Sequence, residues 1–208
     1  MADRPILFSG AMVRALLAGT KTQTRRIIKP QPPEGIVRHC WYDAPLYGFT
    51  RDHDVTADWH IARLLAYKGD RLWVKETHAI VGDNPHLGDE AQACFDMRVP
   101  VYYRADDVQP ELSKWRPSIF LKRGYSRLTL TVTDVRVERL QDISDDDAIA
   151  EGIEYNPRLD PVGQCKWRHY GRESAGIYPP SASYMTLWDS INGPGSSDAD
   201  PWVVAYTF

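Results

Sequence analysis

Apolar and polar positions along the chain mark out a small number of short elements. Pro5–Phe8 is a brief apolar stretch that predicts a first strand. Ser9 then stands as an N-cap before a helix over Gly10–Ala18, with Met12, Leu16 and Leu17 at helical spacing as its apolar face. Gly19 ends that helix, and a basic loop leads into a short strand at Ile27–Ile28. Arg71–Val74, after the turn signal Gly69–Asp70, alternates polar with apolar and predicts a strand. Val99–Arg104 predicts another, with Pro100 near its start. Ser126–Leu140 carries the strongest β pattern, with a phase slip at Thr133–Asp134 that predicts a bulge or tight bend. Ser144–Gly152 has the signature of a compact helix: a capping serine, acids in the first turn and a terminating glycine. A helix over Ser181–Ile191, with Tyr184, Leu187, Trp188 and Ile191 on one side, and a strand over Trp202–Phe208 complete the set.

Between these elements the pattern weakens. Insertions are predicted near residues 30–68, 82–98 and 154–180, the first holding one helix over Ala57–Tyr67. There is no internal repeat and no interdomain linker, so residues 1–208 read as a single domain with insertions. At this length about 70% of the unfolded surface is buried on folding, which needs no disulfide or metal staple.

Composition changes the picture in three respects. Seven Trp and eleven Tyr are many for the length and offer flat faces for stacking a nucleobase. The formal net charge of −3 argues against a protein that coats duplex nucleic acid, yet the charge is segregated. Arg14, Lys21, Arg25, Arg26 and Lys29 lie in a stretch, Ala11–Pro33, that has no acid; Lys114–Arg127 is also basic, and Asp142, Asp145, Asp146 and Asp147 form an acidic run. Such a field attracts a nucleotide-sized anion. Cys40, Cys94 and Cys165 are odd in number and widely spaced, which predicts reduced thiols in a cytoplasmic protein. No stretch has the length of a membrane span, and the N-terminus has no signal-peptide core. His39, His53, His60, His78, His86 and His169 show no paired ligand spacing, so neither metal nor cofactor is expected.

The chemistry points to the loop Ala18-Gly19-Thr20-Lys21-Thr22-Gln23-Thr24-Arg25-Arg26, which places a hydroxyl near an amine. Glu151 is the second candidate, because it lies at the last turn of its helix, where the dipole disfavours a carboxylate. Without further context this loop reads as a basic, phosphate-facing or solvated segment whose threonines favour a strand start.

In this order the loop, the strand after Gly69–Asp70 and the helix ending Ala148-Ile149-Ala150-Glu151-Gly152 resemble the ASCH domains of the PUA-like superfamily. The likeness extends to longer phage and prophage members through Trp115-Arg116-Pro117-Ser118-Ile119 and Leu187-Trp188-Asp189-Ser190-Ile191-Asn192-Gly193-Pro194-Gly195. Ser197 and Asp200 depart from that pattern, which has Trp and Asn there; no functional weight attaches to either. The resemblance implies an α+β fold: a PUA-like β-barrel of about five or six strands with flanking helices and loop insertions. Some small bacterial members remove acyl groups from N4-acylated cytidine without a metal. Carried over by motif position, the catalytic lysine falls on Lys21, the threonine nucleophile on Thr24 and the glutamate on Glu151. Trp73 is the expected stacking wall, and Thr22, Arg25 and Arg26 the expected substrate contacts. Glu76 and Tyr103 read as core or surface. The expected partner is a modified pyrimidine nucleoside or nucleotide, with no membrane partner and a monomeric state favoured. Two rivals stand beside the hydrolase: a non-catalytic module for modified or single-stranded RNA, and a ribonuclease.

Overall fold

The computed structural model describes residues 1–36, 38–43, 46–51, 60–80, 101–107, 114–155, 167–171 and 179–208. The predicted insertion at 82–98, with His86 and Cys94, lies outside the described residues, as do His53 and Cys165. The architecture is mixed α/β, with few helices and four small sheets of two or three strands among the described residues. No described helix is long and apolar enough to cross a membrane. The chain divides into two compact units, one of Met1–Ala18 with Arg71–Thr131, the other of Gly19–Asp70 with Val132–Phe208.

The first unit is built on β1 (Asp3–Leu7), β6 (Arg71–Lys75) and β9 (Thr129–Thr131), with β6 central, parallel to β1 and antiparallel to β9. Alternation along β6 buries Leu72 and Val74 and leaves Arg71 exposed, as the sequence pattern predicts. The helix α1 (Gly10–Leu17) starts where Ser9 accepts a hydrogen bond from the Met12 amide, and Gly19 follows with φ 71°, a left-handed value that glycine adopts freely. Its buried residue is Val13, not the predicted stripe: Met12 and Leu16 are half-buried and Leu17 is exposed. Eight residues make barely two turns, so one central side chain anchors the helix. A second pair of strands, β7 (His78–Ile80) and β8 (Val101–Tyr103), is antiparallel; β8 is the strand predicted from Val99.

The second unit carries the remaining elements. The strand β2 (Gln23–Ile27) pairs with β11 (Trp202–Thr207), which pairs in turn with β10 (Asp134–Arg139), all antiparallel. Thr24, Arg25 and Arg26 are therefore inside a strand rather than in the loop before Ile27. The predicted long strand is two strands, β9 and β10, in different sheets, and the phase slip at Thr133–Asp134 marks the break between them. A third sheet joins β3 (Arg38–Asp43), β4 (Leu46–Thr50) and β5 (His60–Arg63). From residue 60 onward that sheet overturns the predicted helix over Ala57–Tyr67, whose first three residues lie outside the described residues. In β5 Ala62 is fully buried between exposed Ile61 and exposed Arg63, a two-residue period that suits pairing with β4.

Two helices pack one core of this unit. The helix α2 (Asp145–Ala150) is capped by Ser144, whose hydroxyl accepts from the Asp147 amide at 3.1 Å, and it ends at Glu151 before Gly152. The helix α3 (Pro180–Asn192) contributes Tyr184 and Trp188, while Ile191 stays exposed. These two side chains gather with Leu140, Ile143, Ala148, Ile153 and Val203.

Candidate functional site

Lys21 precedes β2, and backbone bonds fix its place. The Thr22 amide donates to the Ala150 carbonyl at 2.8 Å, and the Phe208 amide donates to the Thr22 carbonyl at 3.0 Å. The start of β2 is thereby tied to the last turn of α2, where backbone carbonyls lack helical partners. Lys21, only 2% exposed, turns its amine onto that helix end. Nζ donates to the Gln23 carbonyl, the Glu151 carbonyl and Glu151 Oε2, each at 2.8 Å. Three donors meeting three acceptors is the pattern of an ammonium group. The carboxylate that the helix dipole disfavours is thus paired with a cation that the same dipole favours.

The Glu151 side chain, 4% exposed, meets a second cation as well. Arg25 Nη1 reaches Oε1 at 3.4 Å, and the carboxylate charge acts on the buried Tyr184 hydroxyl. Burial raises the Tyr184 pKa well above its ordinary value, and the Glu151 charge pushes it the same way, so this hydroxyl keeps its proton. Burial lowers the Lys21 pKa; Glu151 opposes that shift, Arg26 and Arg25 assist it, and the net direction is down. Burial likewise lowers Arg26, against Glu151.

Alternation along β2 sorts its side chains. Thr24 and Arg26 lie opposite Tyr206 and Val204 on one face, and Gln23 and Arg25 share the other. Thr24 is 3% exposed and in the same segment as Lys21, but it is not among the three acceptors around Nζ. Thr22 has an exposed side chain; its backbone makes the two bonds just described. Arg25 is engaged within the protein, donating to Glu138, Gln23, Asp147 and Glu151. Burial works against its charge, yet Glu151 and Glu138 hold its pKa above the ordinary value. Trp73 belongs to the other unit. It is half-buried on β6, with Lys75 Nζ 5.4 Å and the Arg123 guanidinium 5.8 Å from its ring.

The structure therefore joins Lys21 to Glu151 across 130 positions and adds members that sequence reading missed. Gln23 bridges Asp147 and Thr207 through its side-chain amide, and Asp147 and Glu138 hold Arg25. One signal was available for Asp147: its four-residue spacing from Glu151 puts both on one face of a helix. Tyr184 gave none, because a tyrosine at helical spacing reads as core. Among the described residues, no group of three or more His, Cys, Asp or Glu side chains is placed to hold a metal ion.

Compared with known proteins, the chain matches no family model, no curated protein and no solved structure.

Proposed function

We propose that the chain is an ASCH domain of the PUA-like superfamily, folded as a β-barrel of about five or six strands. We further propose that it is a metal-independent amidohydrolase removing the acyl group from N4-acylated cytidine or cytosine nucleosides. One observation carries the reading: the lysine and the glutamate that the motif names are both buried and lie 2.8 Å apart. The order of elements supports it as well, with α1, the Lys21–Thr24 segment, β6, α2 ending in Glu151 and β11 following one another as the resemblance implies.

The chemistry follows from the pair. At rest the amine is protonated and fully hydrogen-bonded, so it is not yet a base. Burial lowers its pKa, and a proton passed from Nζ to Glu151 Oε2 leaves a neutral amine and a neutral acid without moving charge to solvent. The amine then takes the Thr24 hydroxyl proton as Oγ1 attacks the acyl carbon. Protonation of the exocyclic nitrogen by the Glu151 acid breaks the C–N bond and releases cytidine. Water hydrolyses the threonine ester, releasing the carboxylic acid and restoring Thr24. The engagement of Arg25 by protein acceptors weighs against the RNA-reader alternative, which calls on Arg25 or Arg26 at phosphate.

The test is incubation of the pure protein with N4-acetylcytidine and EDTA, followed by chromatography for cytidine and acetate. Turnover is expected, and Thr24→Ala removes it with the melting temperature nearly unchanged. Intact substrate after prolonged incubation with folded protein overturns the proposal.

A further inference from the structure

Resting on the hydrolase reading, we propose that Arg25 is a positioning residue: it does not meet the substrate but fixes the Glu151 carboxylate against the Lys21 amine. A guanidinium has five N–H donors in a rigid fork. In Arg25, Nε donates to Glu138 Oε1 at 3.0 Å, and Nη2 to the same oxygen at 2.6 Å and to Asp147 Oδ2 at 3.0 Å. Nη1 donates to Gln23 Oε1 at 2.5 Å and to Glu151 Oε1 at 3.4 Å. The side chain has no exposed surface, so every donor direction ends on protein.

Two spacings make this cluster fit. Gln23 and Arg25 are two apart on a strand, about 6.7 Å, and Asp147 and Glu151 are four apart on a helix, about 6 Å. The strand pair and the helix pair therefore face each other in register. Gln23 Nε2 bonds Asp147 Oδ1 at 3.1 Å while Arg25 bonds both acids. Glu138 anchors the guanidinium from β10 and thereby stops it swinging toward a ligand.

The charges around the Lys21–Glu151 pair come from every neighbouring element. Arg25 and Arg26 stand on β2, Asp147 on α2, Tyr184 on α3, Glu138 and Arg136 on β10, and Tyr206 on β11. Of these, Arg25 both touches Glu151 and opposes the ammonium form of Lys21.

The experiment uses the full chain with Arg25→Gln, Arg25→Lys and Glu138→Gln. The Lys21 amine is followed by NMR with ¹⁵N-labelled lysine across pH, its signal assigned with Lys21→Arg, and N4-acetylcytidine hydrolysis is measured in parallel. Arg25→Gln is expected to move the Lys21 midpoint downward, because the loosened Glu151 carboxylate supports the ammonium more than the Arg25 charge opposes it. It lowers kcat by about tenfold or more while KM stays within about twofold. Arg25→Lys returns the midpoint and part of kcat. Glu138→Gln, which keeps the guanidinium but removes its anchor, lowers kcat in the same way and decides the matter should Arg25→Gln not fold. A raised KM at unchanged kcat, or a Lys21 midpoint that stays put or rises, overturns the assignment. The NMR shift needs no substrate. A shifted midpoint without hydrolysis in any variant therefore sinks the hydrolase reading alone, and normal hydrolysis with an unmoved midpoint sinks the role of Arg25 alone.

Discussion

Among the described residues each unit buries one glutamate, and the two are handled differently. In the first, Glu76 is 2% exposed and meets the fork of Arg127, Nε to Oε1 and Nη2 to Oε2, both at 2.9 Å. Arg127 also bonds Asp106 at 2.8 Å and stacks over the Tyr103 ring at 4.1 Å. Burial works against its charge, but Glu76 and Asp106 outweigh that and raise its pKa. In the second unit Glu151 is similarly buried, yet its closest cation is Lys21, whose pKa burial lowers. An arginine–carboxylate fork is a permanent clamp, because guanidinium does not release its proton in a protein. A lysine–carboxylate pair under desolvation holds a proton that can move. The cation, more than the depth of burial, separates a structural pair from a candidate for chemistry.

Exchanging the cations gives the largest effect. Lys21→Arg keeps the charge and loses the transferable proton, so hydrolysis of N4-acetylcytidine is expected to fall by about 10³-fold. Arg127→Lys leaves hydrolysis unchanged. Equal losses in the two variants, read as kcat/KM, would erase the distinction.

Removing the carboxylates gives a smaller effect, on stability. Glu76→Gln leaves Arg127 charged and is expected to cost about 2–3 kcal/mol in urea unfolding, with little change between pH 7 and pH 10. Glu151→Gln costs a comparable amount at neutral pH, but its cost shrinks as pH rises. The sign follows from Lys21: without Glu151, burial and the two arginines keep its folded pKa below the unfolded value of about 10.4. Glu151 raises the folded pKa in the native chain, so the variant's unfolded state binds the extra proton from a lower pH, and the variant regains stability between the two folded pKa values. A pH-independent cost for Glu151→Gln would mean that Lys21 does not discharge.

The smallest effect sharpens the picture of the helix that presents Glu151. Ser144→Ala removes the cap of α2 and is expected to cost about 1 kcal/mol, seen as a lower urea midpoint at constant slope. The same substitution at Ser9 acts on α1, in the unit without Lys21, and leaves the Lys21 titration unmoved.

What the sequence revealed follows from how local each signal is. Ser9, Ser144 and Gly152 announce their helix ends through bonds and dihedrals within a few residues, and α1 and α2 lie where those signals put them. The sheet of β3, β4 and β5 sent no such signal. Tyr47, Gly48, Phe49 and Thr50 are buried in succession, so β4 has no alternation to read, and its pairing depends on chain far from it. The Lys21–Glu151 meeting was foreseen only through the motif, since no pattern in spacing links residues 130 apart. The ring of Gln23, Arg25 and Asp147 went unread because each residue alone is an ordinary polar side chain on a strand or helix. Only the register of one against the other makes them a cluster.

The amine of Lys21 donates two hydrogen bonds to a single residue, to the carbonyl and the carboxylate of Glu151 at the cap of α2. Rewinding or fraying that last helical turn by one position withdraws both at once. Protonation and the pitch of a six-residue helix are therefore one mechanical variable, and whatever tugs on residues 150–152 also sets the charge of an amine more than a hundred positions upstream.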